Sequence, residues 1–143
     1  MPTGEDLLER AEALRGKPYI FGYEIKLTDP NPVAADCSEL VQWVCAQEKV
    51  KPEMPDGAIY QFRHCRAYGL LIDIEDAKTT PGALLFRIGK NSQHVAFCVG
   101  DGDQTFEARG SHYKIGSQPA KGRPWTHAAL IPGVEYPEWE TEI

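Results

Sequence analysis

The chain has no apolar run near the roughly 18 residues that a membrane span needs, so no spanning helix is expected. It has no excess of basic charge: 15 Lys and Arg stand against 21 Asp and Glu, a net charge of −6. Nucleic-acid binders usually carry a basic face, and that class is set aside. The same charge opposes broad adhesion to anionic polymers, so such a substrate must be recognised locally. No C-x-x-C pair occurs among Cys37, Cys45, Cys65 and Cys98, and His64 beside Cys65 reads as helix packing, so no zinc site is expected. With 143 residues, 42% of them apolar, the chain can bury a core without disulfide staples. All four cysteines are read as reduced thiols, three of them as buried filler. Residues 1–14 carry acidic side chains and no apolar h-region, so no secretory signal is expected. No repeat, low-complexity tract or linker interrupts the chain, and residues 1–143 are read as one catalytic domain.

What is present divides into a helical first half and a strand-rich second half. Thr3 caps a helix whose Leu7, Ala11 and Leu14 share a face, and Gly16 ends it. A loop rich in Pro and Asp follows. A second helix opens at Asp36 and runs to about Glu48, a third follows Asp56 to about Tyr68, and Asp73 to Asp76 adds a turn. After Gly82 come short apolar runs expected as strands: Ala83–Phe86, His94–Val99, Gln104–Ala108, Tyr113–Ile115 and Ala128–Ile131. Helices first and strands second indicate an α+β fold with an antiparallel sheet.

Cys37 stands in the first turn of the second helix. Asp36 is a good N-cap, and Glu39 three residues on is expected to complete a capping box. Free N–H groups and the helix dipole favour a thiolate there, and can hold a developing oxyanion. A basic partner is available in His94, which begins a strand whose alternation puts it beside the small residues Ala96 and Cys98. If Asp101-Gly102 forms a two-residue hairpin turn, Gly100 pairs with Asp103, Ala96 opposes Glu107 and His94 opposes Arg109. Glu107 then sits diagonal to His94 on the same face, about 7–8 Å away between backbones, where it can orient the imidazole. The plain alternative for Glu107 is a salt bridge to Arg109. His112 is the rival third residue, and His127 reads as strand packing.

These residues fall in four stretches: Pro18-Tyr19-Ile20-Phe21-Gly22, Asp36-Cys37-Ser38-Glu39-Leu40-Val41, Pro81-Gly82-Ala83-Leu84-Leu85-Phe86 and His94-Val95-Ala96-Phe97-Cys98-Val99-Gly100. Their order and content resemble the NlpC-type family of papain-like cysteine peptidases, which cut peptidoglycan. The resemblance implies a helix carrying Cys37 packed on an antiparallel sheet carrying His94. It implies cleavage of stem peptides, commonly at the γ-D-glutamyl to diamino-acid bond. By the same resemblance Tyr19 steadies substrate or oxyanion, and Asp36 and Ser38 hold the substrate's amino end. Two positions depart from the family pattern: Glu39 replaces the usual Gly, placing a side chain near the mouth of the cleft, and Glu107 stands where His is commonest. The compact form also resembles lysins, either associated with the phage virion and tail or, as endolysins, cytoplasmic until released or delivered to the cell wall; an intracellular recycling peptidase or a delivered toxin fits the form as well. No metal or organic cofactor is implied. An amidase or acyl-transferase on the same Cys-His scaffold, and a non-catalytic wall-binding domain, are the competing readings.

Overall fold

In a computed structural model, which describes residues 1–139, four helices and six strands follow one another. The helices are α1 (Gly4–Glu12), α2 (Cys37–Gln47), α3 (Ala58–Ala67) and α4 (Ile74–Lys78). The strands are β1 (Leu71–Ile72), β2 (Leu84–Ile88), β3 (Gln93–Cys98), β4 (Gln104–Glu107), β5 (Gly116–Pro119) and β6 (His127–Ala129). The strands form one sheet, ordered β1-β6-β2-β3-β4-β5, with every pairing antiparallel. None of the described helices is long and apolar enough to cross a membrane.

Local chemistry sets the helix starts. Thr3 accepts from the Asp6 N–H and Asp6 returns the bond to the Thr3 N–H, a complete capping box at α1. At α2 only half of that motif forms. The Asp36 side chain accepts from the Glu39 N–H at 2.9 Å, but the Glu39 carboxylate turns away and accepts from the Ile25 N–H at 2.9 Å. The expected capping box at α2 is therefore replaced by a tie between the helix and the preceding loop. Glu39 is buried beneath that loop rather than standing at the cleft mouth. Two further bonds strap the loop to α2: Trp43 Nε1 donates to the Asp29 carbonyl and Gln47 Nε2 to the Leu27 carbonyl.

The core lies where α2 and α3 meet the sheet. Leu40, Val41, Trp43 and Val44 of α2 and the β2–β3 residues Leu84, Phe86, Val95 and Phe97 are all buried. Each aliphatic side chain so buried contributes about 1.5–3 kcal/mol, before the entropy of ordering it is counted. Buried Gln61 of α3 donates to the carbonyls of Ser38 and Pro55, which fixes α3 against the first turn of α2. Gly82 is required by space as well as conformation. Its φ is +81, and a Cβ would lie 2.4 Å from the Gly4 carbonyl oxygen, so only glycine lets α1 approach the start of β2.

The sheet departs from the sequence expectations at three places. Residues 113–115 are not a strand; β5 begins at Gly116, where Glu107 finds its partner. The two residues of β1 were not anticipated, because so short an edge strand carries no periodicity. The β3–β4 connection is not a two-residue turn. Val99 N–H closes onto the Gln104 carbonyl, and Asp101 Oδ1 accepts from the N–H groups of Asp103 and Gln104 inside a wider loop. Its register is nevertheless the one the shorter turn implied, with Phe97 opposite Phe106 and Cys98 opposite Thr105.

Candidate active site

A cleft of about 460 Å³ opens where the N-terminus of α2 meets β3, and Tyr19, Asp36, Cys37, Ser38 and His94 line it. Cys37 is the first residue of α2, so its own N–H and that of Ser38 are among those no helical carbonyl takes. Asp36 uses both carboxylate oxygens on backbone, capping α2 through Oδ1 and accepting from the Gly22 N–H at 3.1 Å through Oδ2. Ser38 Oγ lies 3.4 Å from Asp36 Oδ1. The segment holding Tyr19 is laid beside the start of α2, two residues before Cys37, by a parallel bridge between Tyr19 and Ala35.

The thiol is not pre-ionised. Burial and the Asp36 carboxylate push Cys37 up to about 11, against the backbone N–H groups of Val95, Ser38 and Cys37, which pull it down. The lowering expected from the helix N-terminus is thus outweighed by desolvation and a like charge. Burial, with Cys37 and Asp36 beside it, also pushes the Tyr19 hydroxyl up to about 12, so Tyr19 enters the cleft as a neutral donor. Cys45, Cys65 and Cys98 are free and buried, and burial pushes each thiol far up.

Behind the cleft, His94 Nε2 lies 2.7 Å from Glu107 Oε1. Glu107 is 1% exposed and receives more than the imidazole. Arg123 grips it with both terminal nitrogens, at 2.6 and 2.8 Å, and the Thr105 hydroxyl donates to its second oxygen. Burial pushes this carboxyl up, but the bonds from Arg123, His94 and Thr105 together win and hold it at about 2. Glu107 is therefore an anion at neutral pH and can only accept. That fixes the tautomer: Nε2 carries the proton and Nδ1 is left bare. Trp125 completes the support. Its ring stacks on His94 at 6.0 Å, and the Arg123 guanidinium lies 4.5 Å over it.

Glu107 pairs with Arg123 rather than with Arg109, which donates to Gln118 and covers the Tyr113 ring. His112 is exposed and lines a separate shallow hollow with Pro18 and Tyr19. His127 packs its ring 4.6 Å from Phe62. Thr105, Arg123 and Trp125 were not singled out from the sequence. Arg123 and Trp125 are two residues apart in an irregular stretch, and only the fold brings them to His94. Asp56 and Arg87, which also line the cleft, were likewise missed. Asp56 hydrogen-bonds the buried Glu39, and burial together with that bond pushes Glu39 up to about 7. Among the described residues no three His, Cys, Asp or Glu side chains are grouped as a metal site would require.

No curated protein matches the sequence significantly. Solved structures do match the fold. The peptidoglycan hydrolase RipB from Mycobacterium tuberculosis superposes with a TM-score of 0.73 at 28% identity, over 93% of this chain and 65% of that one. The P60 domain of an antigen of M. avium subspecies paratuberculosis gives 0.72 at 26% identity, over 93% and 96%. NlpC2 from Trichomonas vaginalis shares the fold at 23% identity, with a TM-score of 0.69 over 91% of this chain and 46% of that one. This chain spans less than half the length of NlpC2 and of NlpC1 from the same organism. The NlpC/P60 profile matches residues 16–133, a span that includes Tyr19, Cys37, His94 and Glu107. The chain belongs to the NlpC/P60 family.

Proposed function

We propose that the protein is a cysteine endopeptidase that hydrolyses peptidoglycan stem peptides, at a γ-D-glutamyl to diamino-acid bond. The observation that carries this reading is a single cleft lined by both a helix-N-terminal Cys37 and a histidine whose tautomer Glu107 sets. Family membership supports the substrate class.

In the proposed reaction Cys37 Sγ attacks the scissile carbonyl as His94 Nδ1 takes the thiol proton. The raised thiol pKa favours proton transfer during attack over a standing thiolate. The imidazolium that forms is held by Glu107, and the N–H groups at the start of α2 face the oxyanion. His94 then gives its proton to the leaving amine as the C–N bond breaks, leaving a thioester on Cys37. Water, deprotonated by His94, hydrolyses the thioester and restores the thiol. Tyr19 donates to the substrate from the cleft wall, while Asp36 and Ser38 receive its ammonium end.

Digestion of purified peptidoglycan tests this reading. New amino groups without new reducing sugar ends, and fragments whose masses place the cut after the glutamyl residue, are expected. Activity should survive EDTA and disappear in Cys37→Ala. New reducing ends, or an EDTA-sensitive activity restored by zinc, would refute it.

A further inference from the structure

Among the described residues, Arg87 is a charged side chain on the cleft wall that neither the chemistry above nor a protein partner engages. Arg87 lies on β2, and its Cα is the cross-strand partner of His94. Directly opposed residues share a face, with Cβ atoms about 4.5–5.5 Å apart, so guanidinium and imidazole border the same cleft. Among the described residues Arg87 forms no salt bridge and no side-chain hydrogen bond, and its Nε is buried without a partner. Buried donors are normally satisfied, and an unsatisfied one on a permanent cation is costly. The neighbouring arginines are already engaged, Arg123 on Glu107 and Arg109 on Gln118 and the Tyr113 ring. The cleft is also polar in the electrostatic sense. Arg87 and Arg109 stand among its lining residues as cations, and Asp36 and Asp56 as the acids.

An unpaired guanidinium presents a planar fork of donors that matches a carboxylate. We infer that Arg87 binds a free carboxylate of the substrate beside the scissile bond, and so selects peptides that carry one there. This rests on the peptidase reading of the site. The carboxylate has two possible sources in a stem peptide. A γ-glutamyl linkage leaves the α-carboxyl of the acyl residue outside the amide, and a diamino diacid carries one on the amine side. In either case Asp36 and Asp56 repel the carboxylate from their part of the cleft and favour a single orientation of the peptide.

The test uses the full chain and four synthetic stem peptides. The acyl residue is D-isoglutamate or D-isoglutamine, and the amine-side diamino acid has a free or an amidated carboxyl. One of the two amidations should lower kcat/KM by about 10- to 100-fold, the usual range for losing a hydrogen bond to a charged group. Which one does so identifies the carboxylate. Arg87→Gln should cut the carboxylate and amide forms of that residue equally, near the wild-type rate on the amide, and Arg87→Lys should keep part of the preference. Binding of the same peptides to Cys37→Ala, with and without Arg87→Gln, should show the same discrimination without turnover. Equal cleavage of all four peptides by the wild type, or an undiminished preference in Arg87→Gln, would overturn the assignment while leaving the peptidase reading intact. Failure of the wild type to cut any of the four would refute the peptidase reading and this assignment with it.

Discussion

Replacing Glu107 by Gln removes one charge from a buried cluster and tests how that cluster works. The carboxylate is 1% exposed and receives bonds from His94 Nε2, both Arg123 terminal nitrogens and the Thr105 hydroxyl. A Gln amide offers one acceptor oxygen and turns an NH₂ group toward N–H donors. Arg123 would then remain as a largely buried cation without a counterion, a change that typically costs about 3–5 kcal/mol. The carboxyl sits at about 2, against an ordinary value of 4.5. The sign follows from that depression. Glu107 contributes stability above pH 4.5, and the contribution is lost as pH falls toward 2, on the order of 3 kcal/mol in all. Urea unfolding of wild type and Glu107→Gln at several pH values should show the two curves apart at pH 7 and converging toward pH 2. Turnover should fall by about 10²–10⁴-fold, because the imidazole loses both its tautomer and the support for its cation. A Glu107→Gln protein as stable as wild type at pH 7, and within threefold of its activity, would rule out a structural and orienting role for the Glu107 charge.

Glu39 titrates with the opposite sign. Its folded-state value of about 7 lies above the ordinary 4.5, so stability should decline as pH rises from about 4.5 to 7. Glu39→Gln, which can still accept from the Ile25 N–H and donate to Asp56, should flatten that decline and be the more stable form at pH 8, as thermal unfolding would read. Iodoacetamide labelling of Cys37 in the free protein should accelerate with rising pH toward 11, with Cys45, Cys65 and Cys98 protected; a rate already at its plateau by pH 7 would contradict a neutral resting thiol. Asp36→Asn keeps the cap and removes the repelling charge, so it should speed labelling at a given pH while weakening substrate binding. Gly82→Ala should lower stability by more than 2 kcal/mol on the scale of small-to-large strain (about 1–3 kcal/mol), because a strained φ adds to the clash with Gly4.

The sequence was most informative where a single local rule governs. Asp36 as a cap puts Cys37 in a first helical turn whatever the rest of the fold does. The hairpin register also survived a wrong turn type, because the wider Asp101 loop still sets Phe97 opposite Phe106. Local rules failed where a tertiary partner competed. Glu39 had a perfect capping-box position but found a buried N–H at Ile25, and burial made that bond the better one. The strand expected over 113–115 moved to Gly116–Pro119, a stretch whose Gly, Ser, Gln and Pro give no strand signal of their own and which pairs because β4 presents an open edge. The environment of Glu107 lay beyond any local rule. Its chief partner, Arg123, is sixteen residues away across β5. The protonation of Cys37 needed the structure too, since dipole and burial act in opposite directions and only the depth of burial decides between them.

In the proposed reaction Cys37 attacks the scissile carbonyl and is acylated. Rapid acid quench of the protein turning over a stem peptide, followed by intact mass and peptide mapping, reports whether that acyl-enzyme forms. A transient adduct with the mass of the acyl fragment is expected on Cys37, absent in Cys37→Ala and scarcely formed in His94→Ala. Steady turnover with no adduct at Cys37, or turnover persisting in Cys37→Ala, would contradict acylation of Cys37.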